Sequence, residues 1–228
     1  MDDDPNPIHS SMKELCAQLI NEKMLSSKKV YNSMMQVDRA DFAPSRPYQN
    51  NAQRIGCNVV ISAPDLHSYC LEALKDYLTE GSTVLDVGFG SGYLTAAMSK
   101  MMNDKGTVIG IEHIKELYDF GMYNICKHHR NLIESKRIIL VLGDGRLGYI
   151  QRAPYKCIHI GAASRQPPKD IIDQLEFGGR LVMPLGEPDD QYIYIIDKDK
   201  DGKLTYKKGL SVCYVSLTSA KNQLNNIE

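Results

Sequence analysis

The chain has 228 residues and a formal net charge of −1, from 27 basic and 28 acidic side chains. That length suits one sizeable core or at most two small ones, and so even a balance gives no electrostatic handle for nucleic acid or an anionic membrane. No apolar run approaches the ~18 residues that span a bilayer, and the acidic opening Met1-Asp2-Asp3-Asp4-Pro5 is unlike a signal or transit peptide, so a cytoplasmic location is expected.

Residues 1–11 read as an unstructured tail. Ser10 or Ser11 can cap a helix that carries Leu15, Leu19 and Ile20 on one face. A second short helix holds Val30, Met34 and Val37. Residues 40–64 contain Pro44, Pro47 and Pro64 and read as loops with short extended pieces such as 58–62. Another helix covers 65–77, with Leu71, Leu74 and Leu78 in phase.

From there strands and helices alternate. Strand 83–87 precedes helix 93–102, strand 107–112 precedes helix 114–128, and strand 137–142 leads into the turn Gly143-Asp144-Gly145. Strand 157–161 precedes helix 169–175, and strand 180–184 follows. This alternation predicts an α/β fold, a doubly wound, mostly parallel sheet with helices on both faces. Beyond it the alternation stops. Strands 191–197 and 212–217 flank a reversal marked by Asp201-Gly202, so an antiparallel C-terminal closure is expected. The expected division of a single domain over 1–228 is a cap region 12–80, a core 81–186 and C-terminal strands 187–228.

The six cysteines are scattered, with no C-x-x-C pair. Neither a metal site nor a disulfide framework is expected. Cys157 and Cys213 lie in apolar runs, where thiols serve as small hydrophobes.

Residues Val84-Leu85-Asp86-Val87-Gly88-Phe89-Gly90-Ser91-Gly92 carry the chemistry. A β-prone run with an acid near its end breaks into a loop with glycine at every second position, and a helix follows. Such a unit brings backbone close to a nucleotide-like ligand. A dinucleotide loop would read G-x-G-x-x-G, and no Lys-Ser/Thr pair follows as in a P-loop. Asp86 would repel a pyrophosphate. A ligand with a ribose and a positive end suits it better, and S-adenosylmethionine has both.

Ligands of open parallel sheets bind outside the carboxyl ends of the strands. The second strand ends at Glu112-His113, about 20 residues past the loop, where an acid can accept both ribose hydroxyls. The third ends at Asp144, which could accept from an adenine amino group. The fourth ends at Gly161-Ala162-Ala163, small residues that leave space. Three acids at successive strand ends suit adenine, ribose and an ammonium or sulfonium group.

These residues resemble the protein-L-isoaspartate (D-aspartate) O-methyltransferase family. The likeness runs over roughly residues 10–220. It is carried by Val37-Asp38-Arg39, Ile61-Ser62-Ala63-Pro64 with His67, Leu85 to Gly92, Val108 to Ile114, Gly143-Asp144-Gly145-Arg146, Ile158 to Ala163, Gly178-Gly179-Arg180-Leu181 and Tyr214 to Thr218. The resemblance implies a seven-stranded Rossmann-like methyltransferase sheet that binds S-adenosyl-L-methionine and releases S-adenosyl-L-homocysteine. It implies that Val59, Val60, Ile61 and Ser62 lie over the methyl donor, with Ser62 in the catalytic role. It places His67, Ser91, Glu112, His113, Asp144, Gly145 and Thr218 at the cofactor; Asp86, Gly88, Gly90 and Gly92 join them from the glycine loop. The implied reaction methylates the α-carboxylate of L-isoaspartyl residues in damaged proteins, and the ester then collapses to a succinimide that hydrolyses partly to aspartate.

Four positions depart from the family pattern. Phe89 stands where a small residue is common, Glu112 replaces the commoner Asp, Asp65 replaces a His of animal relatives, and Ser164-Arg165-Gln166 replaces a more apolar stretch. Residue by residue, Ser62 could instead cap the helix after Pro64, and His67 could be an exposed first-turn residue. Alternatives for the whole chain are a methyltransferase with a small-molecule acceptor, an NAD-dependent dehydrogenase, or a non-catalytic module that keeps the pocket. A monomer with isoaspartyl peptides and proteins as its partners is expected.

Overall fold

The computed structural model describes residues 7–225. Helix α1 (Met12–Asn21) starts at Ser11, whose hydroxyl accepts from the Glu14 N–H, while the Glu14 carboxylate accepts from the N–H and hydroxyl of Ser10. This reciprocal cap satisfies donors that the first turn leaves open. Of the tail expected over 1–11, positions 1–6 lie outside the described residues, and Ser10 and Ser11 belong to the cap. Met12, Leu15, Cys16 and Leu19 form the buried stripe; Ile20, one position round the helix, is exposed, contrary to expectation.

Helix α2 (Lys28–Gln36) buries Val30 and Met34, with Val37 buried just beyond its end. Helix α3 (Pro64–Leu74) packs beside it and stops short of the expected 77. Its Glu72 accepts from the N–H groups of Ser26 and Ser27, and Lys29 of α2 donates to the carbonyls of Lys75 and Leu78. Each side chain satisfies the open end of the other helix. Between α2 and α3, strands β1 (Gln53–Gly56) and β2 (Val59–Ile61) form a hairpin through Cys57 and Asn58, both at positive φ. Only β2 was expected. The residues Gln53 and Arg54 gave β1 no apolar signal.

The main sheet follows the predicted alternation closely. Its elements are β3 (Thr83–Val87), α4 (Tyr93–Met101), β4 (Thr107–Glu112), α5 (Lys115–His128), α6 (Arg130–Glu134), β5 (Ile138–Leu142), β6 (Tyr155–Ile160), α7 (Lys169–Gln174), β7 (Leu175–Glu187), β8 (Asp190–Lys198), β9 (Leu204–Val212) and the terminal α8 (Ala220–Asn225). The seven strands lie in the order β5-β4-β3-β6-β7-β8-β9, parallel from β5 to β7 and antiparallel thereafter. The winding direction reverses between β3 and β6, so the carboxyl ends of these two strands open the crevice where such sheets bind ligands.

Two expectations fail near the C-terminus. Strand β7 begins before the expected 180, because Gly178 at positive φ and a register shift carry the chain through Glu176 to Gly179 without leaving the sheet. The last strand is β9, not 212–217. It is a largely exposed edge carrying Thr205, Lys207 and Lys208, while 213–217 runs alongside Ala163, joined by Ala163 N–H to Val215 O and Leu217 N–H to Ala163 O. Cys157 is buried in β6 as expected, but Cys213, outside any strand, is exposed.

Candidate active site

Strands β3 and β6 bring Asp86 and His159 opposite each other in register. Both are buried, and His159 Nδ1 meets Asp86 Oδ1 at 2.8 Å. The other carboxylate oxygen of Asp86 accepts from the Thr95 hydroxyl at 2.5 Å. Burial opposes a charge on His159, but its bonds to Asp86 and the Cys70 thiol outweigh that and raise its pKa to about 10. Asp86 lines the cleft, and it has a cationic partner within the protein, the His159 imidazolium.

The glycine loop crosses the same strand ends. Gly88, Gly90 and Gly92 all have positive φ, and a Cβ on Gly92 would stand 2.9 Å from the Ile125 side chain. Only glycine therefore lets the loop turn directly into α4. Phe89 borders the larger lobe, and its ring lies over Gly110 and Gly121, where a Cβ would come within 3.0 and 2.6 Å of it. These two glycines make room for the departure at this position.

Two lobes open on this loop and meet at Val59, Gly88, Gly161 and Val215. The larger, about 490 Å³, is lined by the hairpin residues Val59, Val60, Ile61 and Ser62, by Asp65 and His67 of α3, by Gly88, Gly90 and Ser91, and by the segment Leu210 to Val215. The smaller, about 40 Å³, is lined by Glu112, His113, Gly145, Thr218 and Gln223. Glu112 accepts from the N–H groups of Gly90, His113 and Ile114 at 3.2, 2.8 and 3.1 Å. Burial pushes its carboxyl above the ordinary value against the pull of those donors. His113 Nε2 meets Gln223 Oε1 at 2.7 Å.

Two expected residues lie outside both lobes. Gly92 serves the turn. Asp144 is turned back onto Arg146, whose side chain donates to both carboxylate oxygens, and only its neighbour Gly145 faces the cleft.

Ser62 is not a helix cap. The N-cap of α3 is Ala63, with no side-chain bond, and the Ser62 hydroxyl turns to the Tyr214 hydroxyl at 3.4 Å. Nor is His67 an exposed first-turn residue. It is buried and stacked on Tyr93 with ring centroids 4.9 Å apart. Burial, with the charges of Arg39 and His159 nearby, holds its pKa well below 6.5.

The sequence of residues 10–222 matches the family model for protein-L-isoaspartate(D-aspartate) O-methyltransferase. The chain belongs to that family. A Caenorhabditis elegans protein-L-isoaspartate O-methyltransferase is 43% identical over 216 residues, covering 95% of this chain and 96% of the relative. Protein-L-isoaspartate O-methyltransferase 1 of Arabidopsis thaliana is 40% identical, covering 96% of each. Among solved structures, a Plasmodium falciparum protein-L-isoaspartate O-methyltransferase in complex with S-adenosyl-L-homocysteine superposes with a TM-score of 0.86 at 31% identity, over 92% of this chain and 99% of that one.

Sequence reasoning about this methyltransferase missed Gln223, Tyr214 and the Asp86–His159 pair. The pair had a signal: Asp86 and His159 each stand one residue before the end of an otherwise apolar run, and that equal spacing puts the two side by side. Gln223 had none, because it reaches the small lobe from a terminal helix without apolar periodicity.

Proposed function

We propose that this protein transfers the methyl group of S-adenosyl-L-methionine to the free α-carboxylate of L-isoaspartyl residues in damaged proteins, as the first step of their repair. The observation that carries the reading is the family match over residues 10–222, which spans every residue of both lobes except Gln223.

The residues fit this cofactor. In the small lobe, Glu112 supplies a carboxylate for ribose hydroxyls, while His113, Gly145 and Thr218 border the space for adenine. In the large lobe, Gly88, Gly90, Ser91 and His67 border the amino-acid end, and Val59 to Ser62 cover the reacting centre. When bound there, the cofactor supplies an electrophilic methyl group. The acceptor is a carboxylate with a reference pKa near ~3.5, already ionised at neutral pH, so the chain need not supply a base. Its task is to exclude water and orient one oxygen. Ser62 is the residue for that, because a hydroxyl can donate to the second oxygen without neutralising the nucleophile. His67 and His159, with pKa values moved in opposite directions away from neutrality, do not change protonation there.

The chain works as one unit, with 12–80 as the cap, 81–186 as the cofactor core and 187–228 as the closing strands. A cytoplasmic monomer that engages neither nucleic acid nor membrane accords with its balanced charge and with the lack, among the described residues, of a helix long and apolar enough to cross a membrane.

The test is methyl-ester formation on matched peptides that differ only in carrying L-isoaspartyl, D-aspartyl or ordinary L-aspartyl at one position. The isoaspartyl peptide is expected to react faster than the aspartyl one by orders of magnitude. Equal rates on all three would overturn the repair reading in favour of a general carboxyl methyltransferase. Reaction only with small acids or phenols would assign a small-molecule acceptor.

A further inference from the structure

A buried guanidinium that no carboxylate of the described residues hydrogen-bonds lies behind the cleft. Arg39 sits on a 3-10 turn (Arg39–Asp41) and is fully buried. It donates from Nη2 to the carbonyl of Ser62 at 2.7 Å and of Asn51 at 3.5 Å, and Nη1 lies 3.1 Å from His67 Nδ1. Its Nε has no partner. Burial lowers its pKa to about 10, so it remains charged at neutral pH. An unpaired buried charge is costly, and here it bears on two residues of the large lobe.

A guanidinium only donates hydrogen bonds. The contact with Arg39 therefore fixes a lone pair on His67 Nδ1 and places the single proton of the neutral ring on Nε2. Stacking on Tyr93 fixes the ring plane. No described residue bonds to Nε2. It is also not sealed off, because the only fully buried side-chain polar atoms without a partner among the described residues are Arg39 Nε and the Tyr93 hydroxyl. Nε2–H therefore faces the lobe that His67 lines.

We propose that Arg39 is a positioning residue that locks His67 as an Nε2–H donor, anchors the Ser62 carbonyl, and thereby builds a receptor for a carboxylate on this wall of the cleft. A fixed neutral donor backed by a buried cation, which feels Asp65 and the Tyr93 ring but is hydrogen-bonded to no carboxylate among the described residues, favours an anion over a neutral ligand. The other charged groups around His67 are the His159 imidazolium of β6, paired with Asp86 of β3, and the Asp65 carboxylate of its own helix. Two carboxylates belong in this cleft, that of the cofactor's amino-acid end and that of the isoaspartyl residue. The inference rests on the methyltransferase reading only for the identity of that ligand.

Nitrogen-15 NMR of the histidine rings reads the tautomer directly and needs no activity, with His67 assigned from its loss in His67→Asn. The wild-type protein is expected to show the Nε2–H tautomer unchanged from pH 6 to about 8, as for a ring held off the reference value near 6.5. The Nδ1–H tautomer, or a titration midpoint in that range, would overturn the proposal even if isoaspartyl methylation is confirmed. Arg39→Met is expected to give a mixture of tautomers, and Arg39→Lys, which still donates, to restore Nε2–H. Calorimetry then names the carboxylate. If it is the cofactor's, Arg39→Met weakens S-adenosylhomocysteine by about tenfold, the range of one hydrogen bond, and leaves 5′-methylthioadenosine, which lacks the amino-acid end, unchanged. If it is the substrate's, both ligands bind as in the wild type and KM for the isoaspartyl peptide rises. Should Arg39→Met change neither the tautomer, these affinities nor KM, Arg39 is a packing residue. Should it fail to fold, the wild-type spectrum and Arg39→Lys still decide.

Discussion

Two side chains divide the work at the residue scale, and each can be tested apart from the fold. Ser62 reaches only the Tyr214 hydroxyl, at 3.4 Å, a long bond that an acceptor can replace. Ser62→Ala should slow single-turnover methyl transfer by about tenfold, the value of one hydrogen bond, with cofactor affinity nearly unchanged. An equal loss of affinity would make Ser62 a binding residue. Glu112 is different, because its carboxylate already holds three backbone N–H groups. Alanine there would loosen the glycine loop as well as remove the acid. Glu112→Gln keeps one oxygen for His113 and Ile114, gives up only the Gly90 bond, and is the cleaner probe. It should weaken S-adenosylmethionine by at least about tenfold, since a charge-assisted bond is worth ~1.5–3 kcal/mol. Unchanged affinity in calorimetry would remove Glu112 from the ribose.

Elements with a strong periodic signal were legible in the sequence, and those held by tertiary contacts were not. Strands β3 and β4 fall on their expected residues because they are apolar on both faces, as central parallel strands are. Strand β9 was hidden because an edge strand with one face in solvent carries Lys and Thr, while the apolar run after it packs on a loop instead. The site divides in the same way. The glycine loop and Glu112 could be read from motif and spacing and Ser62 only from the family resemblance, whereas the inward turn of Asp86 needed β6 beside it, and Gln223 needed the terminal helix to fold back. One contact between elements makes a further prediction. Arg180 of β7 bonds both oxygens of Asp197 on β8 at 2.7 and 2.8 Å, donates to the Ala73 carbonyl of α3, and lies over the Tyr77 ring. It pairs with Cys157 at the amino-terminal end of the sheet, away from the cleft. Arg180→Met should lower stability by about 1–2 kcal/mol, the value of charge-assisted bonds discounted for partial exposure, and leave methyl transfer unchanged. Thermal unfolding and a rate measured well below the melting temperature check both halves, and a lost rate with intact stability would contradict the assignment.

For the whole molecule, the buried histidines couple stability to pH with opposite signs. His67 is held neutral in the fold, so it favours folding above the unfolded value of ~6.5 and ceases to do so as the pH falls below it. His159 is raised to about 10, so its contribution is complete below the unfolded value and is lost as the pH rises toward 10. Between pH ~6.5 and ~8 the unfolded chain has released this proton and the folded one has kept it, so stability should fall with a slope of up to ~1.4 kcal/mol per pH unit. That window isolates the effect on the alkaline side. The thiols of Cys16 and Cys157, also raised by burial, add a decline of the same sign only near the ordinary thiol value of ~8.5. Urea unfolding of the wild-type protein and of His159→Gln, which can still donate to Asp86, should show the slope in the first and a nearly level line in the second. The same decline in both would place the retained proton elsewhere. A fall in wild-type stability from pH 8 down to 6.5 would mean that the Asp86–His159 pair does not hold its charge in the fold.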